Sequence, residues 1–139
     1  MSDLARIAIS SLSGFAFGSI PFAVLVSRIF FRTDIRRHGS GNPGATNVYR
    51  TFGPVAGTAV LALDAAKGAC AVATARMLLV AMAERPYDWG LVAASLAAIA
   101  GHSFSPFIGF RGGKGVATAA GAIAVLMPAA FTVLLATFL

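Results

Sequence analysis

Charged side chains are scarce in this 139-residue chain, and acidic ones are the scarcest, with 5 Asp and Glu against 11 Lys and Arg. Only 12% of the residues are charged and 58% are hydrophobic, which excludes an ordinary soluble domain and indicates a membrane protein. The single cysteine, Cys70, excludes an internal disulfide, and we expect it to be a small buried packing residue. Because it is joined by only 2 histidines, the sequence offers no metal-ligand cluster, and we predict no metal and no cofactor.

The hydrophobic residues fall into four segments, and the first of them contains the uncharged run Ile7–Ser27. That run makes about 30 Å of helix, enough for one bilayer crossing. Pro21 is compatible with it, because neighbouring helices can satisfy the carbonyl group that a proline frees. We therefore predict an all-α, polytopic membrane helix bundle forming a single domain, 1–139. Its spans are expected at about 5–28, 54–83, 89–106 and 116–139, with loops at 29–53 and 107–115.

Basic residues lie in and beside those two loops rather than along one solvated face, which argues against nucleic acid as a partner. The positive-inside rule makes both loops cytoplasmic and the N-terminus external. Residues 84–88 are then external, where Tyr87 and Trp89 suit a membrane–water interface. Four arginines at the first loop are expected to be ordinary solvated charges: Arg28, Arg32, Arg36 and Arg37.

Both predicted cytoplasmic loops are rich in glycine. Backbone N–H groups can converge on an oxyanion where no side chain blocks the approach. The first loop holds the glycines Gly39, Gly41 and Gly44, and the second holds Gly109, Gly112, Gly113 and Gly115. Lys114 and Arg111 add positive charge, and Arg50 offers a bidentate guanidinium. Neutral donors that can orient a polar ligand are Ser40, Asn42, Thr46 and Asn47. The loops therefore predict phosphate binding at a bilayer surface.

Ionisable residues also occur within the apolar segments. Asp64 and Lys67 are three residues apart, so on a helix they share one face and can pair. Such residues are costly at membrane depth, so the pair is either functional or a structural ion pair that fixes helix packing. His102, at the end of the third segment, is either a general base or an interfacial hydrogen-bonding residue, and we favour the second role.

Two stretches closely resemble the bacterial acyl-phosphate:glycerol-3-phosphate acyltransferases of the PlsY type. They are the run Gly39–Asn47 with Arg50, and the run from Gly101-His102 to Lys114-Gly115-Val116-Ala117-Thr118. Supporting matches are Gly18-Ser19-Ile20-Pro21 and Asp64 with Lys67-Gly68. The resemblance implies a multi-pass enzyme of the bacterial cytoplasmic (inner) membrane. That enzyme makes 1-acyl-glycerol 3-phosphate for phospholipid biosynthesis.

The resemblance also implies substrates and roles. Acyl phosphate and glycerol 3-phosphate would be the substrates, membrane lipid the surroundings, and the soluble enzyme that makes acyl phosphate a partner. Ser40, Arg50 and Lys114 would be the catalytic residues. The substrate and phosphate contacts would come from Gly41, Asn42, Gly44, Thr46, Asn47, Arg111, Gly112, Gly113 and Gly115, with Asp64, Lys67 and His102 in support.

Members of that family continue to further spans and a third motif, whereas this sequence stops at Leu139 in an apolar segment. We therefore expect a fragment or a truncated gene product of such an enzyme, inactive on its own. The alternative function is a membrane transporter or channel for small phosphorylated anions, since it too could use Asp64 and Lys67 at membrane depth with basic loops at the mouth.

Overall fold

The computed structural model describes residues 2–80 and 89–138, and within those ranges the chain forms helices and no strand. The predicted external loop 84–88 and the expected end of the second span at 81–83 lie outside the described residues. Seven α-helices follow one another: α1 (Asp3–Gly18), α2 (Phe22–Phe31), α3 (Ala45–Phe52), α4 (Pro54–Val80), α5 (Trp89–Ser103), α6 (Val116–Leu126) and α7 (Pro128–Phe138). Single 3-10 turns lie at Ile35–Arg37 and Pro106–Ile108.

Three stretches are long and apolar enough to cross a membrane: Asp3–Phe31, Pro54–Leu79 and Trp89–Ile108. Two shorter apolar helices, Val116–Leu126 and Pro128–Thr137, complete the described chain. The prediction of an all-α polytopic membrane fold is confirmed. The fourth apolar segment differs from a continuous span, because Pro128 lacks the N–H that would continue the helix and α6 ends at Leu126.

The first span is also interrupted, between Gly18 and Phe22. Pro21 cannot donate a backbone hydrogen bond, so the chain unwinds for one short step and begins α2. Other helices satisfy the carbonyls exposed there: Ser105 Oγ donates to the Ser19 carbonyl, and Lys67 Nζ donates to the Ile20 carbonyl at 2.7 Å. The carbonyl that Pro21 leaves without its helical donor is that of Phe17, and it accepts from the Ile20 N–H at 3.3 Å. The backbone of the first span therefore satisfies this carbonyl, and the expectation that a neighbouring helix would do so was wrong.

Small residues bring the helix backbones together. α1 lies along α5, and a Cβ atom added at Gly14 or Gly18 would overlap the backbone of Ala94 or Ala98. Where α4 meets α6, an added Cβ at Gly68 would overlap the Thr118 carbonyl. In lipid no hydrophobic effect drives two helices together, so close van der Waals contact between small residues holds such pairs.

Two clusters of buried side chains fill the space between helices. One lies near the loops, where α2, α3 and the start of α4 meet: Ala23, Val24, Val26, Ile35, Val48, Ala56, Val60 and Ile108. The other lies between the C-terminal half of α4, the N-terminal half of α5 and α6: Val72, Ala75, Leu79, Leu91, Ala94 and Ala122. The first cluster includes Ile35 and Ile108, one from each loop, so it fixes both loops on the bundle. Cys70 belongs to neither cluster; its side chain is exposed, and the expectation that it is buried was wrong.

We predict that Gly18→Ala lowers the melting temperature of the protein in detergent. Alanine is favoured over glycine in a helix by about 1 kcal/mol, so helix propensity alone would raise stability. The added methyl group would overlap the Ala98 backbone, and overpacking of this kind costs about 1–3 kcal/mol. The control is Ala16→Leu, on the exposed face of α1. A Gly18→Ala protein as stable as the original would show that α1 and α5 do not pack this closely.

Candidate active site

Asn47 on α3 organises the first glycine-rich loop. Its side-chain amide donates to the carbonyls of His38 at 3.0 Å and Asn42 at 3.1 Å, and its Oδ1 accepts from the Ser40 N–H at 3.1 Å. The residue is only 4% exposed. Gly39 takes a positive φ of 55° against this amide, where a Cβ would overlap Asn47 Oδ1. Asn47 was expected to contact a ligand; its amide instead bonds to the loop backbone, so we assign it a shaping role.

The other polar residues of the first motif are more accessible. Ser40, Thr46 and Arg50 are exposed, the last two on α3. Asn42 is half-buried, and its Oδ1 is buried without a hydrogen-bond partner among the described residues. Ser40, Thr46 and Arg50 therefore have polar atoms that a ligand can reach.

The second loop folds back onto the end of α5. The Gly112 N–H donates to the Ser103 carbonyl at 2.9 Å, and the Gly113 N–H donates to the His102 carbonyl at 3.2 Å. A Cβ at Gly112 would overlap the His102 carbonyl, and one at Gly113 would overlap His102 Nε2. These glycines permit close packing, and their N–H groups are bonded to the end of α5.

Each glycine motif ends at the start of a helix. Gly44 is the N-cap of α3 and Gly115 is the N-cap of α6, and in this described part of the chain neither helix start receives a side-chain cap. Gly115 takes a positive φ of 73°, which favours glycine. The first N–H groups of a helix point out of its start and carry partial positive charge, so an uncapped start attracts anions. Arg111 and Lys114 are exposed just before α6.

The two motifs adjoin at one end of the bundle. Gly113 of the second loop lies beside Pro43, the residue before the N-cap of α3. A Cβ atom added at Gly113 would lie 3.2 Å from the Pro43 carbonyl oxygen. Arg36 Nη1 donates to the Ile108 carbonyl at 3.1 Å and ties the loops together a second time. Both glycine loops therefore lie at the same end of the bundle.

Arg28 and Arg36 are not the freely solvated charges that we expected, since both contact Asp34. Arg36 Nη2 and Arg28 Nη2 lie 2.7 and 2.8 Å from Asp34 Oδ2, and Asp34 Oδ1 accepts from the Arg36 backbone. Hydrogen bonds from the Arg36 side chain hold the pKa of the Asp34 carboxyl well below its ordinary value, although burial opposes the shift. The same contact raises the pKa of the Arg36 guanidinium. This cluster fixes the turn that leads into the first motif.

Asp64 and Lys67 pair as their spacing predicts, with 2.9 Å between Lys67 Nζ and Asp64 Oδ1 and both side chains almost fully buried. His102 is buried beside them, with Nδ1 3.6 Å from Asp64 Oδ1 and 3.3 Å from Thr118 Oγ1. The His102 ring is buried beneath the second loop. Thr118 was not among our candidate site residues. The signal available was that Thr118 is the last residue of the second stretch that carries the family resemblance.

The chain matches the protein-family model described as "Glycerol-3-phosphate acyltransferase" over residues 8–139. A curated relative named glycerol-3-phosphate acyltransferase, from Lactiplantibacillus plantarum, is 48% identical over 116 residues, covering 84% of this chain and 53% of the relative. A relative of the same name from Neisseria meningitidis serogroup C (strain 053442) is 45% identical over 132 residues, covering 93% and 62%. The chain therefore spans between half and two thirds of the length of these relatives.

The fold is similar to solved structures of PlsY (YgiH), described as an integral membrane glycerol 3-phosphate acyltransferase. Its glycerol 3-phosphate form superimposes with a TM-score of 0.75 at 34% identity, covering 96% of this chain and 62% of that one. Its lysophosphatidic acid form has a TM-score of 0.75 at 32% identity, covering 91% and 60%.

We predict that the ion-pair cluster of Asp34 with Arg28 and Arg36 makes the stability of the protein depend on pH only under acidic conditions. The folded-state pKa of Asp34 lies below its unfolded value of about 3.9. The contribution of Asp34 to the free energy of unfolding is therefore complete above the unfolded pKa, and it is lost as the pH falls through the folded pKa. Asp34→Asn should therefore lower the melting temperature by a constant amount from pH 8 to 5. The difference should narrow below about pH 4.

The control for that experiment is Asp3→Asn, whose carboxylate is 92% exposed and 3.7 Å from its partner Arg6. It should change the melting temperature little at any pH, since exposed ion pairs contribute about 0–1 kcal/mol. An Asp34→Asn protein that melts like the original at neutral pH would contradict the structural role of the cluster.

Proposed function

The chain belongs to the glycerol-3-phosphate acyltransferase family, and from that premise we propose that the protein transfers an acyl group from acyl phosphate to the sn-1 hydroxyl of glycerol 3-phosphate. The products are 1-acyl-glycerol 3-phosphate, a phospholipid precursor, and inorganic phosphate. The forms in which the solved relative was determined, with glycerol 3-phosphate and with lysophosphatidic acid, support the acceptor and the product.

The observation that carries the proposal is the pair of uncapped helix starts at the junction of the two loops. The proposed reaction brings together two substrates that each carry a phosphate. One uncapped start belongs to α3 and the other to α6, and Pro43 and Gly113 adjoin between them. Arg50 is exposed in the last turn of α3 and Lys114 is exposed just before α6, and their long side chains can neutralise the two phosphates. Two anion sites in contact suit this pair of substrates.

The proposed chemistry needs placement more than proton transfer. An acyl phosphate is a mixed anhydride with an already activated carbonyl. The glycerol hydroxyl attacks that carbon and the bond from the carbon to the phosphate oxygen breaks. Phosphate leaves with the bonding electrons and takes up the proton that the hydroxyl loses. Holding two phosphates in register converts the encounter into an effectively intramolecular step. Positive charge at the leaving phosphate stabilises the transition state, and the Ser40 hydroxyl can orient a substrate oxygen.

The remaining site residues divide into two groups in this proposal. Thr46, Asn42 and Arg111 lie where they can add donors to the bound phosphates. Those that shape the site through backbone contacts are Gly41, Gly44, Asn47, Gly112, Gly113 and Gly115. No covalent acyl–enzyme and no cofactor enters the mechanism.

Membrane insertion explains how a lipid substrate reaches this site. The apolar helices place the chain in a bilayer in several passes, and the acyl tail of the donor can stay in lipid while its phosphate reaches the loops. We propose the bacterial cytoplasmic membrane, with the loops facing the cytoplasm. The basic residues at the first loop favour this orientation by the positive-inside rule. Acyl phosphate is then received from the soluble enzyme that makes it.

Transport of phosphorylated anions is the alternative, and one observation weighs against it. Transporters commonly bind substrate or coupling ions at a broken helix near the bilayer midplane. The break in the first span is closed by protein: Lys67 bonds to the Ile20 carbonyl at 2.7 Å and pairs with Asp64. An ammonium group thus occupies the place where such a fold would bind an ion.

Orientation can be tested by thiol labelling. Cys70 is exposed and must first be replaced by serine. Single cysteines at Arg37 and Lys114, both exposed, should then resist a membrane-impermeant maleimide in intact cells and react after the cells are opened. Labelling of both positions in intact cells would place the loops outside and contradict the proposed orientation.

The phosphate sites can be tested by removing their charges in the full-length protein. Lys114→Ala or Arg50→Ala should cost about 2–3 kcal/mol of transition-state stabilisation, or roughly 30–150-fold in kcat/KM. The assay measures 1-acyl-glycerol 3-phosphate formed from acyl phosphate and labelled glycerol 3-phosphate. Acyl-CoA should not replace acyl phosphate, and chelators should not reduce the rate.

The control is Arg32→Ala, an exposed arginine at the end of α2 that lies outside both motifs. Its kcat/KM should stay within about twofold of the original protein. Equally small effects at Lys114, Arg50 and Arg32 would show that the loops are not the site. Uptake of labelled glycerol 3-phosphate into sealed vesicles without product formation would favour transport.

A further inference from the structure

A line of buried polar groups runs from the break in the first span to the second loop. It begins at the Ile20 carbonyl, which accepts from Lys67 Nζ, and continues through Asp64, 2.9 Å from that nitrogen. His102 Nδ1 then lies 3.6 Å from Asp64 and 3.3 Å from Thr118 Oγ1. The four side chains come from α4, α5 and α6, and all of them are buried. We call Lys67, Asp64, His102 and Thr118 the buried quartet.

The upper end of the quartet touches the phosphate-binding loop itself. The His102 ring lies directly under Gly113, where any side chain would overlap Nε2. The carbonyls of His102 and Ser103 accept the N–H groups of Gly113 and Gly112. The loop is therefore seated on the last turn of α5 through both the ring and the backbone. Lys114 is the next residue along the chain.

Helix packing does not require these charges. α4 and α6 already meet through Gly68 at Thr118 and Gly121 at Ala65, where added Cβ atoms would overlap the opposite backbone. Apolar side chains of similar volume pack at least as stably as a buried ion pair in many proteins. Ionisable groups at membrane depth are costly, so their presence here points to a task that apolar residues could not perform.

We propose that the buried quartet positions the second loop for phosphate binding, with His102 as the residue through which Asp64, Lys67 and Thr118 act. This proposal rests on the function proposed above. Asp64 and Thr118 fix the orientation of the imidazole ring, and the ring sets the position of Gly113 and so of Lys114 and the start of α6. Misplacement of a binding group by 1 Å can cost up to about 100-fold in rate, so a group that never contacts substrate can still control the reaction.

The test compares His102→Gln and Thr118→Val with Lys114→Ala in the full-length protein. Each quartet variant should lower kcat/KM by about tenfold or more. The loss should appear mainly as a higher KM for whichever substrate shows a raised KM in Lys114→Ala, while the KM for the other substrate stays within about twofold. Thr118→Ser, which keeps the hydroxyl that faces His102, should restore most of the activity.

A double-mutant cycle separates positioning from general loss of structure. If His102 acts through Lys114, adding His102→Gln to Lys114→Ala should cost much less than it does alone. The matched control is Ser95→Ala, since Ser95 is also buried on α5 and its hydroxyl donates within its own helix, to the Leu91 carbonyl. It should leave both KM values unchanged.

Additive losses, or a uniform fall in kcat with both KM values unchanged, would overturn the positioning role. If His102→Gln does not fold, Thr118→Val and its rescue by serine decide the matter alone. An effect of Lys114→Ala without any effect of the quartet variants would refute this inference and leave the proposed function standing. No effect of Lys114→Ala would refute the proposed function.

Discussion

The fold depends on one ammonium group placed in an apolar environment. Lys67 donates to the Ile20 carbonyl at the break in the first span and forms an ion pair with the buried carboxylate of Asp64, so a single side chain contacts both. In a bilayer each unsatisfied polar group costs several kcal/mol, and water is not available to replace the missing partner. The interrupted span and the buried ion pair therefore each require the other. α1, α2 and α4 are fixed in register by this requirement, and the first motif follows directly from α2.

Small residues then determine how near the functional loops come to one another. Gly14 and Gly18 let α1 approach α5, and Gly68 and Gly121 do the same for α4 and α6. The second loop uses glycine in the same way, because Gly112 and Gly113 lie against the end of α5. Both helix pairs and the second loop thus depend on glycine for close backbone contact. As a result the starts of α3 and α6 reach the same end of the bundle without any side chain between Pro43 and Gly113.

The sequence was sufficient for those features that depend on periodicity and length. Long apolar segments predicted the helical membrane fold, and the three-residue spacing of Asp64 and Lys67 predicted their contact. Cys70 was misplaced because lipid and protein interior are both apolar, so hydrophobicity does not tell the two faces of a membrane helix apart. The hydrogen bonds of Asn47 to the loop backbone were not predicted, because the sequence does not tell a polar loop residue that faces a ligand from one that faces its own backbone. The contacts of Gly112 and Gly113 depend on a helix end ten residues earlier in the chain, which no local pattern records.

A backbone N–H group that holds the fold together cannot also bind a substrate, and this constraint divides the two motifs. The amides of Ser40, Gly112 and Gly113 are bonded within the protein, so the loops have fixed shapes before any ligand arrives. In the function proposed above, anion binding falls to the helix starts at Gly44 and Gly115 and to the long side chains of Arg50 and Lys114. The backbone of such a site is preorganised, whereas its charged groups are at the ends of long side chains that can change position. That combination suits a reaction whose leaving group is phosphate, because charge moves from the carbonyl region to the leaving group while the two phosphate positions stay fixed.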